Sequence, residues 1–213
     1  MNKVISLVTS KGGAGKSTIT RCLSAHYAVS GFNVSVIDAD PQGSIINRYD
    51  PNGPLKNLNV ISDPEESVFQ KVNELKDTHN PIIIDTGGFR NRTTIMALIS
   101  SDVAIIPLKP SADDVAAAIE TYELIKELNT TPERVGRPIK YRMILTMTQQ
   151  GTVISRQVRS ELEDMGYLLM KNELFHRVAY PEAAINGLAP NITDPEGAAA
   201  RDIALIVTEI GKL

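Results

Sequence analysis

A glycine-rich segment close to the start of the chain, SKGGAGKST (10–18), has the residue types and spacing of a phosphate-binding loop. Gly12, Gly13 and Gly15 let the backbone curl so that consecutive N–H groups point into one concavity. The segment follows a predicted strand and opens a predicted helix, whose N-terminus adds partial positive charge. An ordinary glycine-rich turn is the alternative, but it does not account for the agreement of strand, loop and helix.

The side chains of this loop suit the binding of a nucleoside triphosphate. Lys16 is expected to lie against the β- and γ-phosphates, Ser17 to offer a hydroxyl to Mg²⁺, and Thr18 to reach the α-phosphate. The loop departs from the common pattern at Ser10, which stands where the first glycine is usual. It also carries a second lysine, Lys11, whose role the residues alone leave open between a phosphate contact and a solvated surface position.

Three aspartates follow two other predicted strands. Asp38 and Asp40 lie in VIDADPQGS (36–44), and Asp85 ends the apolar run of IIIDTGG (82–88). Because Mg²⁺ prefers oxygen ligands and keeps several waters, Asp85 is predicted to hold the ion through water, with Asp38 assisting. Asp40 lies in a predicted mobile loop and is the candidate for orienting or activating an attacking water. Each aspartate alone is equally compatible with a turn residue or a helix cap.

Short apolar runs predict strands that are buried on both faces of a sheet. The predicted strands are 3–9, 33–38, 81–85, 103–108 and 141–147. The predicted helices are 16–30, 64–76, 91–100, 112–128, 153–165 and about 195–211. This alternation predicts an α/β fold with a mostly parallel twisted sheet and helices on both faces. Together with the glycine-rich loop, it predicts a single P-loop NTPase domain over 1–213. Such sheets place ligand sites at the carboxyl ends of their strands, where the polar signals lie.

The composition is that of an ordinary globular protein, since 42% of the 213 residues are hydrophobic and 22% are charged. The net charge of −3 gives no general attraction to nucleic acid, although a local basic surface is compatible with it. The single cysteine, Cys22, excludes an internal disulfide and a multi-cysteine metal cluster within one chain. With no membrane-spanning run and no signal-peptide core, we expect a cytoplasmic protein without a membrane partner.

Three motifs together resemble the deviant Walker A ATPases of the ParA/MinD group. They are KGGAGKST (11–18), DADPQGS (38–44) and the strand that ends at Asp85. The segment PLKPSADDVAAA (107–118) and the C-terminal third are similar to the same family, so the resemblance extends over nearly the whole chain. It implies ATP and Mg²⁺ as cofactors, and slow ATP hydrolysis that a partner accelerates.

The resemblance also implies a role for Lys11. In this family the early lysine crosses a dimer interface and touches the phosphates bound by the other subunit, so that two chains enclose two ATP molecules. A second cation in a dry interface stabilises both the dimer and the charge that develops in hydrolysis. Loss of the γ-phosphate is then expected to release loops 40–44 and 86–90 and to separate the subunits.

The candidate site residues fall into three groups. The predicted catalytic residues are Lys11, Lys16 and Asp40, and the predicted metal ligands are Ser17, Asp38 and Asp85. The nucleotide-binding residues are Lys11, Gly12, Gly13, Ala14, Gly15, Lys16, Ser17, Thr18 and Gln149. Many relatives have Asn or Asp at the position of Gln149, after the sixth strand, where an amide can contact adenine. The loop after the last strand, around Tyr180 to Ala184, is an equally open alternative for that contact.

Within the family, the chain is most similar to the small ParA-type partition ATPases. The sequence ends IVTEIGKL and has its phosphate loop near residue 10, so we expect neither a MinD-type basic membrane helix nor the helix-turn-helix extension of larger partition ATPases. The single cysteine counts against the cluster-binding nitrogenase iron proteins. The implied function is ATP-dependent, non-specific DNA binding that positions plasmids, chromosomes or other large cargo. The implied partners are a second copy of the chain, DNA and a small stimulating adaptor or centromere-binding-type protein, with association to the nucleoid in the ATP-bound state.

One segment supports a DNA partner, because residues 134–160 contain six basic residues and no acidic residue. Such a segment suits sequence-independent contact with the phosphate backbone. The candidate DNA-binding residues are Arg134, Arg137, Lys140, Arg142, Arg156 and Arg159, with Arg177 in addition. A solvated positive face is the alternative, since strand and loop positions can point in different directions.

Two other functions fit parts of the pattern. A metabolic P-loop enzyme, such as a dethiobiotin-synthetase-like ligase or a small-molecule kinase, fits the fold, but Lys11 and the Asp-Pro-Gln motif count against it. ATP hydrolysis without any small-molecule acceptor would distinguish the two. A ParA-like ATPase that positions a protein complex in secretion, polysaccharide synthesis or carboxysome spacing fits every motif, and absence of ATP-dependent DNA binding would favour it.

Overall fold

Seven strands form one parallel sheet in the part of the chain that the structure, a computed structural model, describes, which is residues 3–64, 67–87 and 92–213. The strands are β1 Val4–Leu7, β2 Ser35–Ala39, β3 Asn59–Ser62, β4 Ile82–Thr86, β5 Val103–Leu108, β6 Lys140–Thr148 and β7 Leu174–Phe175. Their order in the sheet is β3-β2-β4-β1-β5-β6-β7, and every pairing between them is parallel.

The helices connect consecutive strands and follow the last one. They are α1 Lys16–Val29, α2 Val68–Leu75, α3 Arg92–Ser100, α4 Ala112–Leu128, α5 Val153–Asp164, α6 Ala179–Ile185, α7 Pro190–Thr193 and α8 Ala198–Gly211. A 3₁₀ turn, Ile46–Arg48, follows β2. None of the helices in the described ranges is both long enough and apolar enough to cross a membrane.

Helices cover both faces of the sheet. Alternate strand residues point to opposite sides, so each face has its own apolar side chains for helices to pack against. Ile83 of β4 packs with residues of α1 and α8, whereas its neighbours Ile82 and Ile84 pack with α2 and α3 on the other face. Further along this second face, α4 and α5 pack against β5 and β6. The predicted α/β fold, with a parallel sheet between two layers of helices, is confirmed.

The register of the central strands brings the polar residues to one edge of the sheet. Asp38 of β2 pairs with Asp85 of β4, and Leu7 of β1 pairs with Asp85 on the other side. The glycine-rich loop leaves β1 directly after this point and leads into α1. The loop and both aspartates therefore meet at the carboxyl edge of β1, β2 and β4, as such sheets favour.

All five predicted strands are present, but the sheet contains two more. β3 is a four-residue edge strand that is partly exposed, and β7 has only two residues, so neither has a long apolar run. The predicted helix 64–76 begins at Val68, with residues 65–66 outside the described ranges, as is residue 91 of the predicted helix 91–100. Short helices α6 and α7 were also not predicted, because they are too short to show helical periodicity.

Candidate nucleotide-binding site

The glycine-rich loop has the backbone shape that a phosphate cradle requires. Gly13 and Gly15 have φ angles of 69° and 99°, in the left-handed region that glycine adopts without strain. Gly15 caps α1, and its carbonyl accepts a hydrogen bond from Ile19 N at 2.9 Å. The Thr146 hydroxyl of β6 donates to the carbonyl of Ala14 at 2.8 Å. The loop is therefore preformed and tied to the sheet.

The ammonium group of Lys16 lies inside the curve of this loop. Its Nζ is 3.5 Å from the carbonyl oxygens of both Thr9 and Lys11. Burial lowers the pKa of Lys16, and the negative charges of Asp85 and Asp40 oppose that change. These contacts to carbonyl oxygens are long and therefore weak. An anionic phosphate would form stronger, charge-assisted hydrogen bonds with Lys16 than the two carbonyls do.

Asp85 offers an unsatisfied carboxylate oxygen beside the loop. The side chain is fully buried, Oδ1 accepts a hydrogen bond from Thr20 at 3.1 Å, and Oδ2 has no hydrogen-bond partner among the described residues. Burial raises the pKa of Asp85 to about 7, which the Ser17 and Thr20 hydroxyls and the Lys16 ammonium oppose and Asp38 reinforces. An orphaned oxygen next to a serine hydroxyl fits a hydrated Mg²⁺ ion, which takes oxygen ligands and keeps several waters.

Asp38 has a different environment from Asp85, although the two are register partners. Its Oδ2 accepts hydrogen bonds from the backbone N–H groups of Ile45 and Ile46 at 2.9 and 3.0 Å, and its Oδ1 accepts a longer one from Asp40 N at 3.4 Å. These bonds engage both oxygens in holding the loop after β2. The structure thus gives Asp38 the capping role that was the alternative to metal binding, and leaves Asp85 as the better-placed carboxylate.

Asp40 lies in a turn at the mouth of the site. Its Oδ1 accepts a hydrogen bond from Gln42 N at 2.9 Å, and its carbonyl accepts one from Gly43 N at 2.8 Å. A Cβ atom added to Gly87 would lie 3.1 Å from Asp40 Oδ1, so the loops after β2 and β4 approach closely. Of the second loop, predicted as 86–90, residues 88–90 lie outside the described ranges.

A single cavity of about 620 Å³ brings these elements together. Its lining consists of Ser10, Gly12, Gly13, Ala14, Gly15, Lys16, Ser17, Thr18, Asp40, Pro41, Gln42, Ser44, Gly87 and Met147. The loop residues from Gly12 to Thr18 and Asp40 therefore line one volume, whereas the buried Asp38 and Asp85 are not among its lining residues. Lys11 is not among the described lining residues, and its Nζ is 3.2 Å from Asp113 Oδ2 in an exposed ion pair at the rim.

A second, mostly apolar cleft of about 370 Å³ adjoins this cavity and shares Gly15, Thr18 and Met147 with it. The other lining residues are Leu174, Phe175, His176, Arg177, Val178, Tyr180, Pro181 and Ala184. Gln149 instead lines a separate cleft of about 210 Å³ with Arg156 and Asn172. Gln149 is therefore not among the lining residues of the nucleotide cavity or of the apolar cleft, whereas Tyr180, in the alternative loop, lines the apolar cleft.

The predicted basic segment does not form one surface. Arg134 is buried, and its guanidinium donates to the carbonyls of Ile99 and Ser101 at 3.1 and 2.6 Å, so this residue was wrongly chosen as a DNA contact. Arg137 pairs with Asp102, and Lys140 begins β6, so both lie at the amino end of the sheet, opposite the nucleotide cavity.

The remaining basic residues lie further along the chain and differ in exposure. Arg142 donates to the carbonyl of Tyr141 at 2.7 Å. Arg159 pairs with Glu173 at 2.8 Å, and Arg177 with Asp202 at 2.6 Å. Arg156, near the start of α5, is exposed at the nucleotide end of the sheet. The seven candidates therefore divide between two ends of the molecule, and several have acidic or carbonyl partners.

Three supporting residues were missed by the sequence interpretation. Thr146 anchors the glycine-rich loop, Thr20 holds Asp85, and the buried Arg21 donates to the carbonyl of Ser44 at 2.9 Å. The one signal that was available is Arg21 itself, a charged residue between Ile19 and Leu23 in a part of α1 where residues 19–25 are all buried. The two threonines contact residues far away in sequence, which no local pattern reveals.

Comparison with known proteins agrees with this geometry. A family model for the CobQ/CobB/MinD/ParA nucleotide binding domain matches residues 5–191. The chain is 28% identical over 181 residues to protein ParA of Rhizobium radiobacter, covering 83% of this chain and 80% of that one. It is 26% identical over 216 residues to the maintenance of carboxysome distribution protein A of Halothiobacillus neapolitanus, covering 98% and 97%.

Among solved structures, the fold is similar to that of the septum site-determining protein MinD from Pyrococcus horikoshii, complexed with Mg-ADP. The TM-score is 0.78 at 17% identity, with 99% of this chain and 96% of that chain covered. At this identity the likeness establishes the fold alone, and the family match carries the assignment. The chain belongs to the CobQ/CobB/MinD/ParA nucleotide-binding family, whose ParA and MinD members are P-loop ATPases.

Proposed function

We propose that this chain is an ATP-dependent switch that hydrolyses ATP slowly, forms a dimer around two nucleotides and positions a large cargo by binding DNA without sequence preference. The observation that carries the proposal is the 620 Å³ cavity, which joins the phosphate cradle to the Asp40 turn at the edge where Asp85 keeps an unsatisfied oxygen. Family membership supports nucleotide binding and ATPase chemistry in general.

Each described group has a task in ATP binding and hydrolysis. The N–H groups of the glycine-rich loop and the Lys16 ammonium bind the phosphates, and the Ser17 hydroxyl with Asp85 holds the hydrated Mg²⁺ ion. That ion neutralises charge on the β- and γ-phosphate oxygens when it is bound. Asp40, which lines the same cavity, orients the attacking water. The adjoining apolar cleft beside Tyr180 accommodates the base.

The position of Lys11 supports the proposed dimer. Its ammonium lies at the rim of the cavity rather than in its lining, and the pair with Asp113 is exposed at both ends. An exposed pair of this kind contributes only about 0.2–1 kcal/mol. Lys11 is therefore free to exchange this weak partner for the much higher charge of a triphosphate that a second chain presents.

The proposed DNA contact depends on the dimer, because the basic residues of one chain do not form one surface. If the nucleotide faces of two chains meet, residues at the nucleotide end, such as Arg156, lie near the partner chain and add to its contacts. Each phosphate contact adds about 0.9 to the slope of log affinity against log salt concentration. A dimer with twice as many contacts therefore has twice that slope. The proposed location is the cytoplasm, with nucleoid association in the ATP-bound state.

The test measures ATP hydrolysis and DNA retention together. Purified protein with Mg²⁺ and ATP, and without any small-molecule acceptor, is expected to release phosphate, and Lys16→Gln is expected to abolish release. DNA is expected to retain the protein with ATP but not with ADP, with no preference among sequences. Equal retention with ATP and ADP would contradict the switch, and phosphate release that requires an acceptor would indicate a metabolic enzyme.

A second function remains supported by two specific observations. The dispersed basic residues and the 26% identical carboxysome distribution protein both fit a ParA-like ATPase that positions a protein complex. This alternative keeps the same nucleotide site and dimer and differs only in its partner. Normal ATP hydrolysis without DNA retention in any nucleotide state would favour it.

A further inference from the structure

Arg21 is a buried cation that lies outside the phosphate cradle but on the same helix. It is 8% exposed and follows Ser17 by four residues, so α1 carries both side chains on one face. Its Nη2 donates a hydrogen bond to the carbonyl oxygen of Ser44 at 2.9 Å. A buried charge is costly unless it is paired, so this contact is a specific feature of the site rather than a surface accident.

The peptide group that Arg21 contacts is held from both sides. Its carbonyl oxygen, from Ser44, accepts the bond from Arg21, and its N–H, from Ile45, donates to Asp38 Oδ2 at 2.9 Å. The next N–H, of Ile46, donates to the same carboxylate oxygen at 3.0 Å. Hydrogen bonds to charged groups are about twice as strong as neutral ones, so a buried cation and a buried anion together oppose rotation of this peptide plane.

The restrained peptide directly follows the turn that carries Asp40. Gly43 N donates to the Asp40 carbonyl at 2.8 Å, and Gln42 N donates to Asp40 Oδ1 at 2.9 Å. Both Asp40 and Ser44 line the nucleotide cavity. The residues from Asp40 to Ser44 thus form one hydrogen-bonded turn, with one end on β2 and the other end fixed by Arg21 and Asp38.

We propose that Arg21 is a positioning residue that holds the Asp40 turn in place at the nucleotide cavity through the carbonyl of Ser44. The inference rests on the proposed ATPase function, because it assigns Asp40 to the hydrolytic step. Without the restraint, the turn samples orientations in which Asp40 does not face the γ-phosphate, and turnover falls. The cradle formed by residues 10–18 is unaffected, so nucleotide affinity is retained.

The test compares Arg21→Met with Arg48→Met, a matched control. Arg48 lies in the 3₁₀ turn of the same loop and is exposed. Burial lowers the pKa of Arg21 most, and the charge of Arg48 lowers it further, so the two residues are close neighbours. Both substitutions remove one positive charge that lies close to the same loop, but only the first removes the bond to Ser44. We expect Arg21→Met to lower kcat about tenfold while KM and ATP affinity change by less than about twofold, and Arg48→Met to leave all three unchanged.

A second measurement on the nucleotide-free protein does not depend on ATPase activity. Amide hydrogen exchange of Ile45 and Ile46 is expected to be faster in Arg21→Met than in wild type, and unchanged in Arg48→Met. If Arg21→Met does not fold, Arg21→Lys replaces it, and the same faster exchange is expected because an ammonium lacks the planar fork of guanidinium.

The outcomes separate this inference from the proposed function. If wild type has no ATPase activity, but the Ile45 amide exchanges faster in Arg21→Met than in wild type, the proposed function is rejected and the restraint on the loop is confirmed. If wild type hydrolyses ATP, but Arg21→Met and Arg48→Met have the same kcat and the same exchange rates, the role of Arg21 is overturned. A parallel loss of kcat and ATP affinity in Arg21→Met, with unchanged exchange, would also overturn it.

Discussion

Two aspartates on neighbouring strands show how environment separates the roles of identical residues. Asp38 and Asp85 are register partners and both are fully buried. Backbone N–H groups bond to both oxygens of Asp38, while one oxygen of Asp85 has no partner in the described part of the chain. Hydrogen bonds from amides stabilise a carboxylate, whereas burial alone raises its pKa. Asp38 therefore supports the loop, and Asp85 is the carboxylate whose charged form a nearby cation stabilises more.

The raised pKa of Asp85 predicts a pH dependence of stability in metal-free protein. Because burial raises the folded-state pKa to about 7 from the ordinary value of 3.8, the folded state binds one proton more than the unfolded state between these values. Stability is therefore greatest at the low end of this window and falls as pH rises towards about 7. With a chelator present, we expect the unfolding temperature of wild type to decrease over this range and that of Asp85→Asn to change much less. Parallel curves for the two proteins would contradict the account of Asp85.

Asp40 is predicted to act in hydrolysis and not in nucleotide binding. Asp40→Asn keeps the size of the side chain but removes the carboxylate of a residue that lines the cavity. We therefore expect ATP affinity within about threefold of wild type and turnover reduced by about a hundredfold or more. Phosphate release and fluorescent-nucleotide titration measure the two quantities. Asp113→Asn, at the rim, is the control and should hydrolyse ATP at least as fast as wild type. Normal turnover in Asp40→Asn would remove Asp40 from the catalytic residues.

At the scale of single residues, the sequence identifies groups that act through a continuous local motif. Residues 12–18 and Asp40 were predicted from type and spacing, and all of them line one cavity. The assignment of Arg134 was wrong, and Gln149 lies in a cleft separate from the nucleotide cavity, because burial and cleft membership depend on contacts between distant segments. Arg134, for example, is buried because its guanidinium reaches the carbonyls of Ile99 and Ser101, over 30 residues earlier.

At the scale of elements, the phosphate loop depends on a strand that contributes nothing to its motif. Thr146 of β6 donates to the carbonyl of Ala14, and its side chain is the nearest neighbour of a Cβ added to Gly15, at 3.6 Å. The loop therefore rests on β6 as well as on β1 and α1. This contact fixes the position of the loop between its two ends.

Thr146→Val is predicted to weaken nucleotide binding without unfolding the protein. Valine keeps the shape of threonine but removes the hydroxyl, which leaves the Ala14 carbonyl without its partner, a loss of about 1–3 kcal/mol. We expect ATP affinity to fall about five- to tenfold, as measured by titration calorimetry. The control is Thr121→Val, since the Thr121 hydroxyl is also buried and bonds to a backbone carbonyl, but within α4. Equal affinities in the two variants would exclude this role for Thr146.

Long elements with a strong pattern were predicted correctly, and short ones were not. Helix α4 was predicted at 112–128 and is observed over those residues. It begins at Ala112 because Ser111 caps it, with the Ser111 hydroxyl donating a hydrogen bond to Asp114. The four residues of β3 and the two of β7 gain their structure from pairing with β2 and β6, not from their own composition. Pairing of this kind is tertiary information that a local pattern does not contain.

At the scale of the whole molecule, the sheet has two functionally different ends. The carboxyl end holds the nucleotide cavity, whereas Lys3, Arg137 and Lys140 gather at the amino end around a cleft of about 680 Å³. In a dimer joined at its nucleotide faces, the amino ends of the two chains point away from each other. Residues there cannot combine their contacts on one short stretch of DNA, whereas residues beside the interface can.

DNA binding is therefore predicted to depend on Arg156 more than on Arg137. In the dimer, Arg156→Gln removes two phosphate contacts, so we expect the slope of log affinity against log salt to decrease by about 1.8, twice the contribution of one contact. Arg137→Gln removes a cation that pairs with Asp102 at the far end and should leave the slope unchanged. Salt titration of DNA retention with ATP measures both. A larger effect of Arg137→Gln would place the DNA surface at the amino end.

The central claim is that two chains enclose a pair of ATP molecules and that each chain supplies Lys11 to its partner's nucleotide. Its most direct test is the molar mass by light scattering with Mg²⁺ and a non-hydrolysable ATP analogue, for wild type and for Lys11→Ala. The account predicts twice the 23.2 kDa chain mass for wild type with the analogue, and the single-chain mass with ADP and for Lys11→Ala in either nucleotide. A single-chain mass for analogue-saturated wild type, at concentrations where nucleotide binding is complete, would contradict the claim.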